Sequence, residues 1–177
     1  MLTSHGCFRG AVSFILFYFF ICIVMSCLEI ISTYVLFSLT FISKSMTFLK
    51  MLRSLSATQD ASIRLAQFAI KQQHLDEDLF SCVIEELHSS TPNNRVTILY
   101  FLEALARECR KAGVSSYLSM LKTEFESIIE TVASEDREGA ANVVPVKQVL
   151  QHFKEGGLLE DALLDKVNAS LSRRLDM

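Results

Sequence analysis

Tryptophan is absent from this 177-residue chain, proline occurs twice and glycine six times. So few turn-formers argue against an all-β fold and leave long helices as the expected element. The five cysteines (Cys7, Cys22, Cys27, Cys82 and Cys109) form no CxxC pair and no zinc-like spacing. Cys82 and Cys109 fall on apolar helical faces and read as buried free thiols, which suits a reducing compartment.

The motifs of catalysis are also missing. There is no GxxxxGK[ST] phosphate loop, no GxGxxG after a strand, no GxSxG, no HExxH and no kinase motif set. His5, His74, His88 and His152 stand alone, with no His-x3-His metal pair. The acidic run Asp76-Glu77-Asp78 reads as a complement to the positive end of a helix rather than as a metal site. The sequence therefore predicts no enzyme, no cofactor and no metal.

Charge is scarce in one region only. Of 17 Lys/Arg and 20 Asp/Glu, only Arg9, Glu29 and Lys44 fall within residues 1–45, so the remainder carries a net charge of −4. An acidic body lacks the basic footprint of direct nucleic-acid binding. Within residues 1–45, Ala11 to Leu28 is uncharged and long enough for a membrane-spanning helix. Three readings of the segment compete: a membrane anchor over residues 11–42, a signal peptide, and translated noncoding sequence. The abundance of Phe, Ile, Leu, Tyr, Ser and Cys, and the abrupt change at Met46, favour the third.

From Met46 the pattern is helix after helix. Phe48, Leu49, Met51, Leu52 and Leu55 share a face. Ser56 with Gln59 resembles a capping box opening a helix to about Lys71. Asp76 caps a third helix with the stripe Leu79, Val83, Ile84 and Leu87. Thr91–Pro92 opens a fourth, which stops at Gly113. Ser115–Ala133 is a fifth helical region, followed by a polar connection over residues 134–142. Pro145 starts a sixth helix that ends at Gly156–Gly157. Glu160 and Asp161 favour the start of a seventh, with Leu163, Val167 and Leu171 in line. Short connections put successive helices side by side. The expectation is an all-α domain over 46–172, a compact bundle or a short superhelix, with an apolar segment 1–45 before it and a tail 173–177 after it.

The fourth helix carries the one suggestive surface. In "TILYFLEALAREC" (97–109), Ile98, Leu105 and Cys109 lie within roughly 60° of Leu102 at about 100° per residue. Tyr100, Glu103 and Arg107 then form a polar edge beside the core stripe. On spacing alone, Glu103 and Arg107 read as an exposed i,i+4 pair.

"DEDLFSCVIEEL" (76–87), "NNRVTILYFLEAL" (93–105) and "AANVVPVKQVLQHFKEGGLL" (140–159) resemble, in order and spacing, the gamma subunits of the fungal CTD kinase I complex. "MTFLKMLRSLSATQDASIRLAQFAIK" (46–71) resembles that family's opening helices. The resemblance implies a right-handed superhelix of about seven to eight helices. The type is that of the domains that interact with the C-terminal repeat domain (CTD) of RNA polymerase II, related to ENTH and VHS domains. It implies a non-catalytic, nuclear subunit that works with a cyclin-dependent kinase and a cyclin to phosphorylate the polymerase tail during elongation. It also implies a further helical region after this domain, and nothing like residues 1–45 before it. CTD-reading relatives carry a pattern like "LYxLDSI" on the fourth helix. Here Tyr100 is kept, Glu103 stands in place of Asp and Ala104 in place of Ser. Arg95, Lys147 and Lys154, with Arg107, are the cations that a phosphate on the tail would want. Two other functions remain open: direct reading of the phosphorylated tail, and, if residues 11–42 are genuine, a membrane-anchored helical interaction protein.

Overall fold

The computed structural model describes residues 42–134 and 137–175. The apolar segment, apart from residues 42–45, lies outside them, and so do the anchor and signal-peptide readings that rest on it. Among the described residues, no helix is long and apolar enough to cross a membrane.

Eight helices and one 3-10 turn are present among the described residues. Helix α1 covers 42–53. It is followed by α2 (Gln59–Lys71), a 3-10 turn (Gln73–Leu75), α3 (Asp76–Ser89), α4 (Pro92–Ala112), α5 (Ser116–Val132), α6 (Arg137–Ala140), α7 (Val143–Glu155) and α8 (Asp161–Leu175). Residues from Lys44 onward form one compact unit. The fold is all-α, as the sequence pattern requires.

Helix ends show where local chemistry decided and where it did not. Thr91 is extended (φ −66°, ψ 155°) and Pro92 takes the first helical position of α4, where its missing N–H costs nothing. Gly113 ends α4 in the left-handed region (φ 72°), which lets the Val114 N–H return 2.9 Å to the Cys109 carbonyl. The capping box at Ser56 and Gln59 does not form. Thr58 precedes α2 without a side-chain cap bond, and the Ser56 hydroxyl pairs with the Thr58 hydroxyl at 2.9 Å. Asp76 is the first residue of α3 rather than the residue before it, yet its carboxylate still accepts the Glu77 N–H at 2.8 Å.

Two predictions shift further along the chain. The polar connection 134–142 contains the short helix α6. Gly139 makes this possible, because a Cβ there would collide with the Ser134 backbone at 2.3 Å. Helix α7 begins at Val143, so Pro145 is its third residue rather than its first. The first four N–H groups of a helix have no partner within it, so proline is tolerated there too.

Helix α4 is the spine of the core. Ile98, Leu99, Phe101, Leu102, Leu105 and Cys109 are each at most 2% exposed. It packs against α2, α5, α7 and, more lightly, α3, while α3 packs chiefly on α5, and α8 on α7. Second-neighbour pairing of this kind (α2 on α4, α3 on α5) winds the helices into a superhelix. Aromatic rings lock the layers, with Phe48 meeting Phe101 edge-on at 6.2 Å and Phe125 meeting Phe153 at 5.2 Å. The buried Tyr117 hydroxyl donates to the Ala69 carbonyl at 3.2 Å, tying α5 to the end of α2. On α8, Leu164, Val167 and Leu171 form the buried line; Leu163 is only half-buried, so the inward face sits one residue over from the expected one.

Candidate functional site

A cavity of about 400 Å³ opens where the start of α2 meets α4 and α7. Thr58, Gln59 and Ser62 form one wall. Tyr100, Glu103, Ala104 and Arg107 form the other, and His152 of α7 closes one end. Tyr100, Glu103 and Arg107 are therefore brought together, as the spacing on α4 predicted. The polar edge of the helix faces a concave surface because α2 and α7 pack on either side of it.

Glu103 departs from the expectation of an exposed pair. It is only 7% exposed. A buried carboxylate must be compensated, and two groups do this. Arg107 donates to one oxygen from the next turn of α4. His152 Nδ1 lies 3.3 Å from the other oxygen. Arg107 and His152 are themselves 43% and 50% exposed. The carboxylate is thus occupied from within, and the groups facing solvent are a guanidinium, an imidazole and the half-buried Tyr100 ring. Such a surface offers N–H donors to an anion. The methyl of Ala104 adds no hydroxyl to it.

The other predicted cations lie outside this cavity. Arg95 donates to the Thr131 carbonyl at 3.1 Å and the His88 carbonyl at 3.3 Å, so it caps the last turns of α5 and α3. Lys147 bonds the Ser172 hydroxyl at 3.1 Å and Lys154 bonds Asp165 at 2.8 Å; both join α7 to α8. The hydrogen bond that Lys154 donates to Asp165, then the charge of that carboxylate, raise the Lys154 pKa. These three side chains hold helices together and do not line the groove.

His152 is the residue that sequence reasoning left out. It lies 49 positions from Glu103 and shows no motif. The available signal was its place beside Phe153 and three residues after Val149, two positions whose burial turns α7 toward α4. No group of His, Cys, Asp and Glu among the described residues could hold a metal ion. Cys109 is buried, as expected, and burial pushes its thiol up to about 12. Cys82 is only half-buried, with its pKa raised by burial first and then by Glu85 and Asp78.

Comparison with known proteins gives consistent matches. Residues 41–165 match the family described as CTD kinase subunit gamma CTK3. The CTD kinase subunit gamma of Schizosaccharomyces pombe is 43% identical over 117 residues, which are 66% of this chain and 54% of the relative. The chain thus spans about half the length of that curated relative. A solved structure, described as a non-canonical CID of Ctk3, is 37% identical with a TM-score of 0.74. That likeness covers 77% of this chain and 99% of the solved one.

Proposed function

The chain belongs to the CTD kinase subunit gamma family, and from that membership we propose that it is a non-catalytic regulatory and scaffold subunit. Its complex contains a cyclin-dependent kinase and a cyclin and phosphorylates the C-terminal repeat domain of RNA polymerase II in the nucleus. The observation that carries this reading is the family match over residues 41–165. The groove supports it. Glu103 is engaged by Arg107 and His152, so it is a poor acceptor for the turn of an incoming peptide, and Ala104 supplies no hydroxyl. A domain altered in this way acts through protein contacts more than through tail reading. Co-expression of the full-length chain with the kinase and cyclin, followed by affinity purification, is the test. Recovery of both partners in stoichiometric amount supports the reading, and failure to recover either refutes it.

A second reading keeps the groove as a direct reader of the phosphorylated tail. It is favoured by one observation, the exposure of Arg107 and His152 beside Tyr100 on a cavity of about 400 Å³. Titration with phosphorylated heptad peptides separates the two. Micromolar binding lost in Tyr100→Ala and Arg107→Ala establishes the reader, and absence of binding at millimolar peptide removes it.

A further inference from the structure

A separate groove of about 510 Å³ runs between α3 and α5. Helix α3 lines it with Glu77, Phe80, Ser81, Ile84 and Glu85, positions that share one face over two turns, about 12 Å of helix. The facing wall is Met120, Thr123 and Glu124 of α5. The floor is apolar. Phe80 is 5% exposed, and Ile84 and Met120 are half-buried. The rim is acidic, with Glu77, Glu85 and Glu124 all exposed and no lysine or arginine lining the groove.

Several carboxylates elsewhere on the described surface are matched with cations. Glu86 pairs with Arg53 at 2.8 Å, Glu108 with Lys111 at 2.6 Å, Glu126 with Lys166 at 2.6 Å and Asp165 with Lys154 at 2.8 Å. Among the described residues, none of the three groove glutamates has such an ion pair. Glu77 sits in the first turn of α3, where the helix dipole favours it. Glu85 lies in the second half of α3, beyond the turn that the dipole favours, and Glu124 lies in the middle of α5. The three carboxylates form no metal-holding group. They are arranged to meet cations spread along a length of chain.

A channel between two packed helices, with an apolar floor and a rim of one charge, has the form that receives a third helix. The occupant must place an apolar stripe on Phe80, Ile84 and Met120 and cations on both flanks. We propose that the α3–α5 groove docks an amphipathic helix of a partner protein, with lysines or arginines on either side of its apolar stripe. This goes beyond the scaffold reading, because its test uses a peptide of stated chemistry and stands whether or not kinase and cyclin co-purify.

The probe is a fluorescein-labelled helix of about 18 residues, with leucines at i, i+3, i+4, i+7 spacing and lysines on both flanks. It is titrated against the full-length chain and followed by anisotropy. Micromolar binding that weakens with added salt is expected. The double variant Glu85→Lys/Glu124→Lys, at two exposed sites, keeps the wild-type melting temperature and loses about tenfold or more in affinity. The same helix with glutamates in place of lysines binds the double variant better than the wild type. Equal binding of both helices to the wild type, affinity unchanged in the double variant, or no binding at about 100 μM overturns the inference. Self-association of the chain that the double variant abolishes also overturns it, since the groove would then hold a second copy.

Discussion

Asn142 offers the sharpest test of how the helices are held together. The residue is only 4% exposed and immediately precedes α7. Its side-chain amide donates to the Val132 carbonyl at 2.9 Å and the Pro92 carbonyl at 3.0 Å. One side chain thus joins the end of α5, the start of α4 and the start of α7. Asn142→Ala removes both bonds and leaves the buried Val132 carbonyl short of a donor. Two net hydrogen bonds near 1 kcal/mol each, plus a desolvation penalty, give about 2–4 kcal/mol, or roughly 10 °C in melting temperature. Asn142→Asp keeps the shape and reverses the chemistry. When protonated, it still donates one bond and should be milder than Ala. When ionised, it points a buried negative charge at two carbonyl oxygens and should be worse than Ala.

Burial and those two oxygens raise the folded pKa of the new carboxyl above the unfolded value of about 3.9. Between these two values the folded state holds a proton that the unfolded state has lost, so stability falls as pH rises through that window. The extra penalty is absent below about pH 4 and complete above the folded pKa. Thermal melts of wild type, Ala and Asp forms across pH 4–8 are the assay. Melting temperatures of both variants close to wild type, or an Asp–Ala difference that does not change with pH, would refute the reasoning.

Three further outcomes are expected. Leu102→Ala should cost about 2–5 kcal/mol in chemical denaturation, as a cavity at the centre of the core does. Glu103→Ala should cost clearly less, because the guanidinium and imidazole it releases are already half-exposed; equal losses would mean that the assigned face of α4 is wrong. Gly157→Ala should destabilise by about 1–2 kcal/mol, since Gly157 has φ 56° and a Cβ there would stand 3.1 Å from Arg110 Nη1; Gly113→Ala, with open space around it, shows the backbone part alone. In the native chain, Cys82 should react with iodoacetamide well before Cys109, by mass spectrometry of labelled peptides. The folded Cys109 thiol keeps its proton up to about pH 12 and a solvent-exposed thiol of the unfolded chain loses it near 9.0, so this group lowers stability as pH rises between them.

Periodicity and caps carried most of the fold. The stripe on α4 and the stops at Gly113 and Gly156–Gly157 were legible because each depends on neighbouring residues. Helix α6 was not, because its one enabling feature, the close approach of Gly139 to Ser134, involves atoms that meet only after the turn forms. Spacing on one helix grouped Tyr100, Glu103 and Arg107 at the site. It gave the wrong exposure for Glu103, because burial there is made by α2 and α7, which lie outside the periodicity of α4. His152 was invisible for the same reason. Arg95, Lys147 and Lys154 were grouped with the groove by charge alone, and charge does not tell a helix clamp from a ligand.

The pairing of α2 with α4 also has a consequence for synthesis. Helix α2 packs far more on α4 than on α3, so part of the cover of Leu65, Ala66 and Ala69 comes from a helix that ends 41 residues after Lys71, at Ala112. At ribosomal rates of about 5–20 residues per second, that apolar face waits about 2–8 seconds for its partner. That face of α2 is one a chaperone would find uncovered, and the domain closes only once its middle has been made.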